Sequence, residues 1–272
     1  MYDQVRMRPS RVMSKLRKGQ TATCMKINLA DARVIEIAAM AGFDCLWTDM
    51  EHVPNDLSAI EKQILAGKAH QIDVIVRVPR GSYSDHIKPL EMDAAGIMVP
   101  HVLSLADAKQ IIKYTKFHPL GLRPLDGGNA DGAYCNINLT DYMEQANRER
   151  FNILQIEDPV PIDELEEIIS LPGLDMVFFG PGDFSQAIGA PGQFNHPQIT
   201  EMRKRIAHIA QEKGKFAGTV GGVQNFESLT EMGYQFISVG ADVFGLSQYC
   251  KDIIDNLLKV GMPKHCNIYE GK

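Results

Sequence analysis

Residues 152–185 read NILQIEDPVPIDELEEIISLPGLDMVFFGPGDFS, and this stretch decides the fold. It holds two apolar runs of strand length, NILQI and DMVFF. Between them Ile162, Leu165, Ile168 and Ile169 recur at helical spacing, with acids on the other face. A strand–helix–strand unit sets two parallel strands side by side with both carboxyl ends on one edge. Glu157 closes the first run, and Asp183 follows the second after the turn Gly180-Pro181-Gly182. The two carboxylates are therefore expected to meet in space, beside a Gly/Pro turn that opens backbone to a ligand. Paired carboxylates at neighbouring strand ends suit a hard divalent cation, which takes oxygen ligands.

The same alternation extends in both directions. Upstream, strand-like runs occur in TATCMKIN, FDCLWTD, DVIVRVP and GIMVP, each followed by a helix-period segment. Asp31 starts the first of these helices and Gly42 stops it; Ser104 and Asp107 start the helix after GIMVP. Downstream, KFAGTV and FISVG are followed by QNFESLTEMG and DVFGLSQYCKDIIDNLLKVG. Eight strands alternating with eight helices, with no change of compositional regime, predict an α/β fold: a (β/α)8 TIM barrel forming a single domain over residues 1–272. A doubly wound open sheet is the rival, and the lack of G-x-G-x-x-G after the first strand counts against it. One interval breaks the rhythm. Residues 118–138, HPLGLRPLDGGNADGAYCNIN, have no periodicity and read either as a substrate-facing lid or as a surface excursion.

Composition limits the partners. The chain has 272 residues, 44% hydrophobic and 23% charged, with a net charge of −6. That balance argues against nucleic acid, because no basic run stands ready to neutralise phosphates. The basic opening RMRPSRVMSKLRKGQ is expected to be an exposed amphipathic helix. Five cysteines without a C-x-x-C pair fit a reducing cytosol rather than a disulfide framework. No apolar run is long enough to cross a bilayer, and no secretory signal is visible. A cytoplasmic protein is expected. The polar tail from Pro263 to Lys272 is expected to be peripheral, in reach of a neighbouring subunit.

In a barrel of this type chemistry sits on the loops after the strand carboxyl ends. TDMEHVPND brings Asp49, Glu51 and His52 there, VRVP brings Arg77, and the opening stretch brings Gln155, Glu157 and Asp183. Lys26 lies near the end of the first strand. Asp49 and Glu51 alternate around Met50, so Glu51 is set aside. Blander readings stand beside these: Arg77 as a buried partner for one carboxylate, and Asp183 as a helix cap.

FDCLWTDMEHVPND, VRVP, GIMVPHV, GLRP, LQIED and FFGPGDFS, in this order and spacing, resemble the HpcH/HpaI aldolase family of class II, metal-dependent pyruvate aldolases. The likeness covers roughly residues 20 to 250. It implies that Glu157 and Asp183 hold a divalent metal: Mg, Mn, Co, Ni or Zn, with Mg or Mn favoured for an oxygen-only ligand set. It also implies His52 as catalytic base oriented by Asp49, and Arg77 as the residue that stabilises an enolate. Gln155 would reach the bound keto acid, and the Gly182 and Asp183 amides would receive its carboxylate. The implied reaction is reversible cleavage of a 4-hydroxy-2-oxo acid to pyruvate and an aldehyde, in a homo-oligomeric trimer or hexamer that exchanges its last helix. The 118–138 segment departs from the family pattern; Arg123 is the cation left there to meet a second substrate carboxylate, with Tyr134 and Asp126 as further contacts.

Four rival readings remain. Oxaloacetate decarboxylation would use the same metal site. A Schiff-base aldolase would use Lys26, although an ion-pair role is simpler. A phosphate-binding barrel would use GTVGG and VGAD. A binding protein without catalysis would leave the acid, base and cation-binding groups unexplained.

Overall fold

A computed structural model of the chain describes residues 5–262, so the expectation for the Pro263–Lys272 tail lies outside the described residues. Among the described residues the apolar runs form eight strands: β1 Ala22–Ile27, β2 Cys45–Asp49, β3 Asp73–Arg77, β4 Gly96–Val99, β5 Phe151–Ile156, β6 Met176–Phe179, β7 Phe216–Gly221 and β8 Phe236–Ala241. Each pairs in parallel with the next, and β8 pairs with β1, closing the barrel in chain order. Side chains alternate across a strand, so each strand serves two cores. Leu46, Val74, Val76, Ile97, Leu154, Ile156, Val177 and Ile237 pack outward under the helices. Cys24, Trp47, Ile75, Met98, Ile153, Phe178 and Phe236 fill the interior. Both faces are buried, which is why the strands read as continuous apolar runs.

The expected helix starts are present. Asp31 accepts from the Arg33 amide, Asp56 from Ala59 and Ser104 from Asp107, each satisfying an N–H that the helix itself leaves free. Two elements differ from expectation. The segment after β5 opens as a 3-10 turn, Val160–Glu164, before the short helix Leu165–Ile169. The Gly180-Pro181-Gly182 turn is itself the start of a helix, Pro181–Ala187, in which Pro181 needs no amide partner.

The basic N-terminal segment is a plug, not an exposed helix. Arg11–Leu16 inserts Val12, Met13 and Leu16 into the interior core. Its basic residues are drawn down by acids around the amino-terminal edge of the barrel. Arg8 pairs with Asp73 and Asp93, Arg11 and Lys15 with Asp44, and Arg17 with Glu149. Asp73, buried, also accepts from Ser10 Oγ at 2.6 Å and the Val12 amide at 2.9 Å. Asp73→Ala leaves three donors without their acceptor and is expected to cost about 3 kcal/mol. Urea unfolding measures it, and a change below about 1 kcal/mol would show that the plug does not depend on this carboxylate.

Candidate active site

The inward phase of the strands turns polar at the carboxyl edge. Above the apolar interior the same alternation presents Lys26 on β1, Asp49 on β2, Arg77 on β3 and Gln155 on β5. Lys26, Arg77 and Gln155, together with Trp47, His52, Glu157, Gly180, Pro181, Gly182 and Asp183, line one cavity of about 240 Å³, with Asp49 buried behind Arg77 and Lys26. Its remaining wall comes from Val220, Ser238, Gly240, Ala241 and Phe244.

Asp49 and Arg77 are register partners on β2 and β3, and both are buried. Arg77 Nε donates to Asp49 Oδ1 at 3.0 Å while Nη2 donates to Oδ2, a two-pronged pair that fixes the guanidinium plane. Asp49 also accepts from the Glu51 amide at 2.9 Å and lies 3.0 Å from Lys26 Nζ. Burial pushes its carboxyl up, but the Arg77 bonds and charge, the Glu51 amide and Lys26 outweigh burial and hold it well below the usual carboxylate range. Trp47 forms the floor: the Arg77 guanidinium lies 4.7 Å and the Lys26 ammonium 5.3 Å from its ring centre.

Glu157 sits one residue past β5 and is almost fully buried. The His101 amide donates to Oε1 at 2.9 Å, and Gln155 Nε2 donates to Oε2. Gly180 is required by this packing, because a Cβ there would lie 2.5 Å from Glu157 Oε2. Asp183 occupies the first turn of Pro181–Ala187 and is exposed to the cavity mouth. Burial drives the Glu157 carboxyl up; the His101 amide and imidazole pull it down, while Asp183 and Glu51 raise it again, leaving it at about 7. The charges of Glu157 and Asp183 thus act on each other across one cavity. Among the described residues no three His, Cys, Asp or Glu side chains gather into a ready metal cluster. The acid pair still fits a hard divalent ion, which takes one or two protein carboxylates and fills its remaining positions with water and substrate oxygens. Gln155 Oε1 is buried without a partner and adds one more oxygen donor beside them.

Two expectations are corrected. Asp49 does not orient His52: its oxygens serve Arg77 and Lys26, and the ion-pair partner of His52 is Glu51, at 3.5 Å. Arg123 lies on the other edge of the barrel. Its amide donates to the carbonyl of Lys116, at the carboxyl end of the helix Leu105–Thr115, and that helix runs back from the site. Its guanidinium is buried against Asp131 and the Phe117 ring. The 118–138 segment leaves from the same end of that helix, so within its own chain it does not cover the cavity.

Three residues enter that sequence reasoning left out. Glu51 escapes the alternation rule because β2 ends at Asp49; the chain turns, and its carboxylate returns to within 3.0 Å of Arg77 Nη1. His101 follows β4 with a left-handed backbone, φ 48°, which aims its amide at Glu157. Its Nδ1 is 2.9 Å from Asp158 Oδ2, and its Nε2 is 3.6 Å from Glu51. Asp158 is the third. A histidine two residues beyond a strand end, in GIMVPHV, was the available signal.

A parallel barrel with an acid pair, a clamped arginine and a lysine around one cavity at its carboxyl rim defines a (β/α)8 enzyme. The family model described as HpcH/HpaI aldolase/citrate lyase matches residues 23–248, and the chain belongs to that family. The hydroxypyruvate/pyruvate aldolase of Pseudomonas aeruginosa is 29% identical over 245 residues, covering 90% of this chain and 91% of the relative. The 2-keto-3-deoxy-L-rhamnonate aldolase of Salmonella dublin is 29% identical over 228 residues, covering 84% and 85%. The crystal structure of an HpcH/HpaI aldolase from Desulfitobacterium hafniense DCB-2 superposes with a TM-score of 0.85 at 26% identity, covering 92% and 96%. The chain is a carbon–carbon lyase of the aldolase type.

The Glu157 environment generates a pH signature. Its folded value of about 7 lies above the ordinary 4.5, so without a bound cation the folded state holds the extra proton. The associated stability is complete below about 4.5 and is lost as pH rises through about 7. The loss, about 3 kcal/mol, is expected mainly between about pH 4.5 and about pH 7 in urea unfolding of the metal-stripped protein, and is expected to vanish in Glu157→Gln. An equal loss in the variant would place its origin elsewhere.

Proposed function

We propose that this enzyme reversibly cleaves a 4-hydroxy-2-oxo acid to pyruvate and an aldehyde. The observation that carries the reading is the convergence of Glu157, Asp183, Gln155, Arg77 and His52 on one small cavity from the ends of four strands. Glu157 and Asp183 would hold a divalent cation, Mg or Mn ahead of Co, Ni or Zn, which when bound withdraws electron density from a keto oxygen. The other roles belong to the protein's own side chains. Arg77, fixed by Asp49 and Glu51, supplies a positive charge that needs no rearrangement as negative charge develops on substrate oxygen. His52, on the cavity rim, takes the proton from the C4 hydroxyl as the C3–C4 bond breaks and returns it in the synthetic direction. Gln155 faces the keto acid, and the Gly182 and Asp183 amides, free at the start of their helix, receive its carboxylate. Lys26 beside Asp49 has the surroundings of an ion-pair partner.

A lactate-dehydrogenase-coupled assay over a panel of 4-hydroxy-2-oxo acids tests this. Pyruvate release is expected to cease with EDTA, to survive borohydride with pyruvate, and to fall by roughly 10²–10³ in kcat for Arg77→Met. Pyruvate released from oxaloacetate alone would assign the site to decarboxylation, and loss on borohydride treatment would assign it to a Schiff base.

We further propose a homo-oligomer that exchanges its last helix. Asp242–Lys259 buries none of its 18 residues, and Phe244, Leu246, Tyr249, Ile253 and Leu257 are exposed along it. Meanwhile a groove of about 480 Å³, lined by Phe43, Val223, Phe226 and Val239, runs where an eighth helix would pack. Exposed apolar surface on this scale marks an interface. Among the described residues no helix is long and apolar enough to cross a membrane, and the thiols of Cys24, Cys45, Cys135 and Cys250 are free, which supports a reducing, cytoplasmic setting. Sedimentation velocity is expected to give a trimer or hexamer; a monomer would refute the exchange.

A further inference from the structure

The ladder between β1 and β8 is regular from Ala22 to Cys24, which pairs with Ser238, and then loses register, because Lys26 pairs with Ala241. β8 therefore holds two residues, Val239 and Gly240, where β1 holds one, Met25. Such a bulge occurs at barrel rims, where it re-aims a side chain or ends the pairing. Gly240 takes the extra step with φ 74°, a left-handed angle that favours glycine. The inserted residue sets Asp242 level with Ile27, one position short of where an unbroken ladder would bring it. From there its carboxylate reaches the two amides that follow β1: Oδ1 accepts from Asn28 and Oδ2 from Leu29, both at 2.9 Å. The Leu29 carbonyl accepts from Gln63 Nε2, also at 2.9 Å. On the other side the ladder with β2 runs on to Ile27. Side chains thus replace the ladder where β8 has stopped serving the end of β1. Asp242 is also the first residue of the helix Asp242–Lys259, which buries none of its residues, while its Phe244 lines the cavity.

We propose that Asp242 is a positioning residue: it fixes the carboxyl end of β1, holds Lys26 against Asp49, and so makes the seating of the last helix felt inside the cavity. This deepens the aldolase reading and rests on it. A carboxylate that accepts two backbone N–H groups is a charge-assisted clamp, stronger than the neutral ladder bonds it replaces. Lys26 precedes the clamped amides by two residues, and its Nζ lies 3.0 Å from Asp49 Oδ2. A lysine is a point charge on a flexible stem, so its ammonium keeps one place only while the backbone beneath it is fixed. Asp49 in turn sets the plane of the Arg77 guanidinium. Loosening of β1 therefore reaches the arginine through a single carboxylate.

The test is a double-mutant cycle in the full chain: Asp242→Ala, Lys26→Met and the two combined. Each single change is expected to lower kcat for pyruvate release about 10-fold, the scale of one charge-assisted hydrogen bond. The combined variant is expected to lose no more than either alone, because both remove the same contact. Two readouts need no turnover. Modification of Lys26 by trinitrobenzenesulfonate, followed by peptide mass, is expected to quicken about 10-fold in Asp242→Ala, and so is amide exchange at Asn28 and Leu29. Asp242→Asn keeps one acceptor and is expected to recover part of each effect; it also carries the comparison should Asp242→Ala not fold. If the wild-type chain releases no pyruvate while Lys26 gains reactivity in Asp242→Ala, the aldolase reading fails and the positioning role stands. Additive losses in the cycle, with Lys26 modified at the wild-type rate, overturn the proposal. So does a loss of activity that tracks dissociation to monomers in sedimentation while Lys26 stays protected.

Discussion

The ion pair between Asp49 and Arg77 governs the carboxyl rim. Neither side chain could be left alone in a barrel interior, where an unpaired charge costs several kcal/mol. Register places them opposite each other on β2 and β3, and the planar fork of the arginine meets both carboxylate oxygens. From that pair the surrounding order follows. The guanidinium lies over Trp47, which seals the floor; Lys26 leans on the same carboxylate; the amide of Glu51 binds it too, and the Glu51 side chain comes back to Arg77. Three strands and the loop after β2 are thus held by one buried contact. Replacing either member leaves the other charged and buried, so the pair is a condition for the site and not an ornament of it.

The acid side is built differently. Glu157 is held by neutral donors, the His101 amide and the Gln155 side chain, and by the missing Cβ of Gly180. Among the described residues no arginine or lysine forms a salt bridge with it. A carboxylate so placed keeps an appetite for positive charge, which its raised pKa records. The cavity therefore has one self-compensated wall and one wall that calls for a cation, and chemistry that separates charge belongs between them.

Much of this was legible in the chain. Alternation of apolar runs with helix-period segments is a property of local sequence, so the barrel and the helix starts at Asp31 and Ser104 could be read directly. The shared edge of Glu157 and Asp183 followed from the handedness of one strand–helix–strand unit. What could not be read depends on register or on loop dihedrals. The partner of Asp49 is chosen by the β2–β3 register, which favours Arg77 over His52. His101 reaches the site through a left-handed backbone, and Glu51 through the turn that follows the end of β2. Arg123 is a different case. Its segment follows a helix, not a strand, and helix direction alone assigns it to the far edge.

The N-terminal plug has a consequence for how the nascent chain assembles. Ser10 donates its amide to Glu149, 139 positions later, and Arg8 offers its carbonyl to Arg150 and its guanidinium to Asp73 and Asp93. This segment is synthesised before its docking partners, which are spread over the following half of the chain. It stays unseated until residue 150 emerges, and meanwhile its basic face is solvated while Val12, Met13 and Leu16 lack their interior. The barrel is consequently stoppered from below only after its first four strands have been synthesised, which couples residues 8–16 to a later event in biogenesis.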